Sequence, residues 1–461
     1  MANEKVKYLV FQITASVLLC GSIVAIAFWI PRSSFESFFS LFVLAFLSFY
    51  FIWLNRAGFG WKFFFWLAVA LRIGLLFSVP QLSNDFYRFL WDGEIMTMGF
   101  NPYANTPDEL MSYGKFMADP YLSELYSGMG PLSAGHYSCY PVLNQFLFLI
   151  ASSFSNSIAM NVILLKIIVV LADIGVVLVG RKILTSLHIG EHQIWLYALN
   201  PLVLLEFAGN AHFDGVMVFF VLMTAWFLLR SNWLVAGFTM GLAIQIKLLP
   251  LILIPFLIKK IGWFKSIGFF AMVAFTVLCT GLILLNEQYL FNAWQSIRVY
   301  FVSFEFNGGI YYLLREWDYS TLGWNNISEN GPLLARISFC LICLLALFKS
   351  LRSEVDLFKG MMFALLIYLG LATTIHPWYI AMPLALSVFT GYRAPLIWSL
   401  TVMLSYSAYQ TDPVKENALF LWFEYLSLLV LLGYEVYRKT DRSAFGLQLR
   451  EFFGLKSKPG K

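Results

Sequence analysis

The feature that most limits what this chain can fold into is a succession of apolar runs, nearly free of charge, recurring from about residue 9 to about residue 436. A helix that crosses a bilayer needs ~20 mostly apolar residues. Apolar side chains make up 60% of the 461 residues and charged ones only 12%, whereas a soluble domain carries about 25% charged residues. A soluble globular protein is therefore excluded. The runs lie at about 9–30, 37–54, 63–80, 141–155, 160–180, 194–206, 215–229, 233–258, 266–285, 333–348, 360–375, 378–391, 395–409 and 418–436, several of them short for a full crossing. The expected fold is an all-α polytopic membrane protein with about 12–14 transmembrane helices and amphipathic helices in the first large outer loop. The first run is longer than a signal-peptide core and lacks a small-residue cleavage site, so it is expected to be retained as a span.

The net charge is +5, and the basic residues lie in short clusters between apolar runs instead of one stripe that could track a phosphate backbone. A nucleic-acid partner is not expected. Of the five cysteines, Cys20, Cys279, Cys340 and Cys343 fall in apolar runs and Cys139 stands alone in a polar loop, so neither a disulfide framework nor a metal cluster is implied; Cys340 and Cys343 read as helix core.

Lys and Arg collect at Lys5 and Lys7, Arg56 and Lys62, Arg181 and Lys182, Lys259, Lys260 and Lys265, Lys349, Arg352 and Lys359, and Arg438, Lys439 and Arg442. These segments are assigned to the cytoplasmic side, with both termini. Keeping Arg181 and Lys182 inside requires that 141–155 not cross, and the same parity returns later in the chain if 233–258 is two short helices turning at Lys247 with Pro250 just beyond. Changing both together gives the alternative, which puts Arg181 and Lys182 outside. No linker or internal repeat divides the chain, so residues 1–461 are expected to form a single membrane domain with outer loops 81–140 and 286–332.

Directly after the third run stands Ser-Asn-Asp-Phe-Tyr-Arg-Phe-Leu-Trp-Asp-Gly from Ser83 to Gly93. Asn84 can cap a helix beginning at Asp85, and Gly99 and Pro102 would end it. Helical spacing puts Asp85, Arg88 and Asp92 on one face, with Phe86, Phe89 and Leu90 opposite and able to rest on the bilayer surface. For a generic interfacial helix such charges simply face water. Here, however, the same topology gathers on one side Tyr140-Pro141, Glu206, Asn210, His212 and Asp214, Lys247, and His376-Pro377-Trp378-Tyr379. Singly, Lys247 reads as a snorkelling side chain and His376 as a helix cap. Lys166 and Asp173, seven apart in one span, read as a buried pair, and Arg72 has either a structural or a functional reading.

Asn84-Asp85-Phe-Tyr-Arg-Phe-Leu-Trp-Asp92-Gly93, followed by Gly99-Phe-Asn-Pro-Tyr103, resembles the first outer loop of GT-C-fold membrane glycosyltransferases. The likeness is greatest to bacterial polyprenyl-phosphate-mannose-dependent α-mannosyltransferases and extends to the catalytic subunit of GPI mannosyltransferase I. Asn200-Pro201 through Gly215, Gly241 through Pro250, and His376-Pro-Trp-Tyr379 follow in the family's order. In place of the family's frequent Asp-x-Asp or Glu-x-Asp, Asp85 is followed by Phe86 and Tyr87, and Tyr140-Pro141-Val142 stands where relatives commonly have Tyr-Pro-Pro.

The resemblance implies a hexosyltransferase that moves a sugar, with mannose expected, from a polyprenyl phosphate to a glycan or glycolipid acceptor with inversion on the outer face. Asp85 is the expected base. Lys247, Arg88 and His376 are the cations expected near the leaving phosphate, and Asp92, His212 and Asp214, together with Tyr103 of the motif, are expected to bind substrate. No cofactor is required by this scheme, although Asp85, Asp92 and Asp214 leave a divalent metal open.

Two other classes remain. A transporter or lipid-linked sugar flippase would place its charges near the midplane on repeat-related broken helices. A polymerase or ligase using lipid diphosphates would draw on loop arginines such as Arg298 and Arg315. A bacterial inner membrane is the expected location, with Asn326-Ile-Ser328 a glycosylation sequon should the host be eukaryotic.

Overall fold

A computed structural model describes residues 2–56, 59–284 and 286–441, with backbone alone for residues 2–8, Tyr300 and Asp441. The side chains of Lys5 and Lys7, and all of Arg442, lie outside the described residues. Among the described residues there are helices, turns and one isolated bridge, between Phe306 and Thr374, but no strand. Six helices among the described residues are long and apolar enough to cross a membrane: Leu9–Trp29, Phe35–Leu54, Ile158–Ser186, Trp263–Leu284, Ile327–Phe348 and Ala418–Thr440. Pro201–Gly209 and Asp214–Leu229, bent by 114°, make a seventh if counted together. The protein is an all-α, multi-pass membrane protein.

The other apolar runs form shorter helices, which is why full-length crossings fall below the 12–14 expected. Trp61–Leu75 has 15 residues, Trp233–Ile246 14, Ile254–Ile261 8 and Ala381–Ser387 7. Every residue of Ala381–Ser387 is buried in protein. Hydropathy records exclusion from water, and a short helix enclosed by its neighbours scores as a lipid-facing one does.

Val142–Ser152 is an 11-residue helix packed along Asp85–Thr97, well short of the ~20 residues a full crossing needs. The 233–258 run is interrupted at Lys247, whose extended backbone (φ −157°, ψ 143°) ends Trp233–Ile246 before a 3-10 turn over Leu249–Leu253. The interruption at Lys247 is the one read from the sequence. At the opposite end, Arg56 and Arg393 stack on Trp53 and Arg181 on Trp61, while Lys259 donates to carbonyls at Ala346, Leu347 and Lys349.

Charges inside the bundle are paired, but not as expected from spacing. Asp173 takes Arg72 Nε at 2.7 Å and the Tyr197 hydroxyl at 2.7 Å, while Arg72 Nη1 donates to Ala68 O and Ala198 O. Lys166 turns instead to Leu75 O, Ser78 O and Ser78 Oγ at the end of the helix Trp61–Leu75. Residues seven apart share a helix face, yet a neighbouring helix supplied the better partner for each. Cys340 and Cys343 do lie on a helix, Ile327–Phe348, but Cys340 is exposed on the outside of the bundle rather than in its core.

Arg72→Leu is expected to destabilise the protein by ~3–5 kcal/mol, because it leaves the Asp173 carboxylate buried without its ion. Thermal unfolding in detergent checks this: the double variant Arg72→Leu/Asp173→Leu should recover much of the loss, and a single variant as stable as the wild type would refute it.

Candidate active site

The motif helix runs Asp85–Thr97 and is stopped at Gly99, whose φ of +82° suits a residue without Cβ. Its N-terminus is held differently from the expected cap. Ser83 Oγ accepts from the Asp85 N–H (3.2 Å), and Asn84 Nδ2 donates to Gly128 O (3.1 Å) and Met129 O (3.2 Å), tying the helix start to the helix Pro120–Met129. Phe86, Phe89 and Leu90 are buried against protein, not laid on the bilayer. Phe89 stacks on Phe148 with centroids 4.7 Å apart, and a Cβ on Gly93 would collide with the Phe148 carbonyl, so the small residue sets how closely the two helices approach.

Arg88 and Asp92 form an ion pair (2.8 Å) with side chains only 5% and 1% exposed. Arg88 Nη1 also donates to Ser133 O and His136 O, and Asp92 accepts from Ser138 (2.5 Å) and Gln145 (3.1 Å). The pair thus fastens the segment from Ser133 to Ser138 onto the motif helix. Arg88 Nη2 is left without a partner. Asp92 and Tyr103 lie behind the wall; the Tyr103 hydroxyl donates to Tyr140 O at 2.6 Å.

Asp85, one turn earlier, opens into a cavity of about 900 Å³ whose wall also includes His212, Asp214, Lys247, His376 and Tyr379. The structure therefore brings together most of the residues singled out in sequence. They arrive on helices broken beneath the motif helix. Leu204–Gly209 is a π-helical turn, a geometry frequent at functional sites, and Ala211 takes φ +61° before Asp214–Leu229 begins. Breaks at this depth are tolerated only where their backbone groups find partners. Asn210 Oδ1 accepts from Leu82 N (3.2 Å), and Phe306 exchanges backbone hydrogen bonds with Thr373 and Ile375.

Glu206 is fully buried and accepts from Tyr406 Oη (2.8 Å) and Asn210 Nδ2 (3.4 Å). His212 Nδ1 lies 3.0 Å from both the Glu206 carboxylate and the Glu206 carbonyl. Facing two acceptors, Nδ1 carries a hydrogen. Nε2 then points towards Asp85, 3.7 Å from Oδ2, with no hydrogen-bond partner. The ring is stacked on Trp378 (3.7 Å between centroids), which stacks in turn on His376 (4.5 Å). Burial, with Lys247 and His212 near by, lowers the His376 pKa to about 3. It is a neutral stacking partner at working pH, not the cation expected from sequence.

Lys247 Nζ meets Asp214 Oδ1 at 2.8 Å and lies over the Tyr379 ring at 3.7 Å. Asp85 differs from both other carboxylates: its side chain is 36% exposed, towards the cavity. The packing around it raises its pKa above the ordinary carboxylate value, against the opposing pull of His212, a Ser83 hydrogen bond, Lys247 and Arg32. Arg32 was not singled out in sequence, where an arginine in a short turn after an apolar run reads as an ordinary interfacial charge. Among the described residues no group of three or more His, Cys, Asp or Glu side chains is arranged to hold a metal ion.

Residues 23–265, more than half of the chain, match the family described as alpha-(1->6)-mannopyranosyltransferase, N-terminal domain. The chain belongs to this family. Alpha-(1->6)-mannopyranosyltransferase A of Corynebacterium glutamicum is 23% identical over 206 residues, 44% of this chain and 39% of that protein. Its namesake in Mycobacterium tuberculosis is 29% identical over 193 residues, 40% and 34% of the two chains. GPI mannosyltransferase 1 of Debaryomyces hansenii is 28% identical over 138 residues, 28% and 33% of the two. The matched stretch thus spans about two-fifths or less of the curated relatives' length. No solved structure matches the chain. The family match agrees with the resemblance read from the motifs to GT-C-type mannosyltransferases. It takes in Asp85, His212, Asp214 and Lys247 but stops before His376, Trp378, Tyr379 and Tyr409, so the cavity wall is completed by residues beyond the family's N-terminal domain.

Replacing Glu206 by Leu is expected to leave the Tyr406 and Asn210 donors without an acceptor, and His212 with the backbone carbonyl alone, at about 1–3 kcal/mol for each unsatisfied buried group. A thermal unfolding midpoint in detergent several degrees below the wild type is the expected result; an unchanged midpoint would contradict the role of Glu206 as their common acceptor.

Proposed function

We propose that the chain is an integral membrane mannosyltransferase that transfers mannose from a polyprenyl phosphate to a glycan or lipid-linked acceptor, with inversion, on the outer face of the membrane. The observation that carries this reading is the difference among the carboxylates. Asp92 is bound by Arg88 and Asp214 by Lys247, whereas Asp85 opens to the cavity. In this scheme the acceptor hydroxyl oxygen bonds to the anomeric carbon as the bond from that carbon to the phosphate oxygen breaks. Its proton passes to Asp85, and the bonding pair leaves on the phosphate. His212 Nε2, fixed from behind by Glu206, faces Asp85 Oδ2 across 3.7 Å, where its lone pair can accept from the carboxyl once Asp85 has taken up the proton. Lys247 and Asp214 supply groups for sugar hydroxyls.

The mannose assignment is supported by the names of the relatives, and the lipid donor by the cavity's second half. Beyond the polar groups the wall continues along Trp294, Ile297 and Val299 of Glu287–Val302 and Leu334 and Ala335 of Ile327–Phe348, an apolar surface suited to an isoprenoid tail. The outer-face assignment, with cytoplasmic termini, is supported by the basic clusters at the end opposite the cavity. The two bacterial relatives favour a bacterial inner membrane.

The test is release of polyprenyl phosphate from labelled polyprenyl-phosphate mannose by purified protein, with native glycolipids as acceptor. Asp85→Asn is expected to lower turnover by ~100-fold or more while donor binding is retained; equal turnover would remove Asp85 as the base. The pH profile provides a second check. A base acts deprotonated, so its raised pKa puts the acidic limb of the wild-type profile above the ordinary carboxylate value, rising with pH. A limb at or below that value would count against the assignment.

A further inference from the structure

Arg32 lies in the turn between the helices Ala2–Trp29 and Phe35–Leu54, at the cavity end of the bundle. Its backbone N–H donates to Gln81 O (3.3 Å), which fixes this turn beside the strand of chain that leads into Asp85. The guanidinium lines the cavity and lies over the Tyr409 ring, 4.4 Å from its centroid. Among the described residues it has no carboxylate within ion-pair distance and donates no side-chain hydrogen bond. The other two permanent cations of the wall are each neutralised: Arg88 by Asp92 and Lys247 by Asp214.

We propose that Arg32 is the phosphate-binding residue of this cavity, gripping the phosphate of the prenyl-linked donor and stabilising it as it departs. This rests on the lipid-phosphate donor reading above. A permanent cation in a partly enclosed site, stacked on an aromatic ring but without a counter-ion, is completed by an anionic occupant. The planar guanidinium presents paired N–H groups that match two phosphate oxygens, and the stacking on Tyr409 holds its plane while leaving its edge free. The reaction calls for such a group at the leaving side. Breaking the bond from the anomeric carbon to oxygen converts a phosphodiester with one negative charge into a phosphomonoester that gains a second, while the acceptor proton goes to Asp85. Arg32 meets that new charge. Its field also reaches Asp85, where it favours the ionised carboxylate that accepts the proton.

The test compares wild type, Arg32→Gln and Arg32→Lys in detergent, using a short-chain prenyl phosphate, the corresponding prenyl alcohol and inorganic phosphate, with binding read by equilibrium titration. Wild type is expected to bind the prenyl phosphate more tightly than the alcohol. Arg32→Gln should lose ~10- to 100-fold in prenyl phosphate affinity, with alcohol binding and unliganded thermal stability unchanged, and Arg32→Lys should keep part of the preference. In turnover, Arg32→Gln should move the acidic limb of the pH profile upwards, because a cation favouring ionised Asp85 is gone; a purely structural role would not do this.

Undiminished prenyl phosphate affinity in Arg32→Gln, with wild-type turnover intact, would overturn the proposal and leave the donor reading standing. A wild type that neither distinguishes phosphate from alcohol nor releases prenyl phosphate would remove the donor reading, and Arg32 with it. Inorganic phosphate binding as tightly as the prenyl phosphate would identify a free-phosphate site and overturn the lipid assignment.

Discussion

The candidate site depends on a carboxylate that never meets water. Glu206 sits on a π-helical turn and accepts from Tyr406 on a distant helical segment and from Asn210 and His212 in the break that follows. A carboxylate in such surroundings is tolerable only when donors surround it. That requirement fixes three pieces of chain to one point. The turn at Ala211 places His212 beneath Asp85, Asp214 opens the next helix towards Lys247, and Tyr406 brings its own segment, with Tyr409, to the opposite wall.

Charge pairing then distinguishes the groups that hold the protein together from those left to act. Inside the bundle, the buried Arg72, Asp173 and Lys166 spend their hydrogen bonds on one another's helices, so these charges tie helices together. At the cavity, Arg88 with Asp92 and Lys247 with Asp214 are already neutral pairs. An unpaired anion, Asp85, and an unpaired cation, Arg32, remain facing the same space. A base and a phosphate anchor are the two charges that transfer from a phosphodiester calls for, and opposite signs at separate points on the wall orient a substrate as well as bind it.

Much of this arrangement was legible in the sequence, and the limits have physical causes. The motif helix begins at Asp85 as read, and the helix Trp233–Ile246 is interrupted at Lys247 as the placement of the basic clusters predicts. Local spacing and charge placement carry such information because they act along the chain. Pairings between helices do not. Asp173 prefers Arg72, 101 residues away, to Lys166 seven residues away, and nothing in a periodicity announces that. The faces of the motif helix were misread for a similar reason: Phe86, Phe89 and Leu90 are apolar whether they meet lipid or the helix Val142–Ser152, and only the fold decides which. Arg32 was passed over because its significance lies in what fails to pair with it.

The 286–332 segment is joined to this site through a continuous stack. Phe306 lies 5.1 Å from His376, His376 4.5 Å from Trp378 and Trp378 3.7 Å from His212, all between ring centroids, while Phe306 is bonded through its backbone to Thr373 and Ile375. Flat rings packed in this way slide poorly past one another in a close-packed interior. A displacement of the chain near Phe306 is therefore felt at His212, and through it at Asp85. The helix Glu287–Val302, which precedes Phe306, also forms the apolar wall of the cavity. Whatever occupies that wall presses on the same piece of chain that anchors the stack. A ligand's apolar part and the polar groups around Asp85 are coupled by packing alone, without any element having to travel between them.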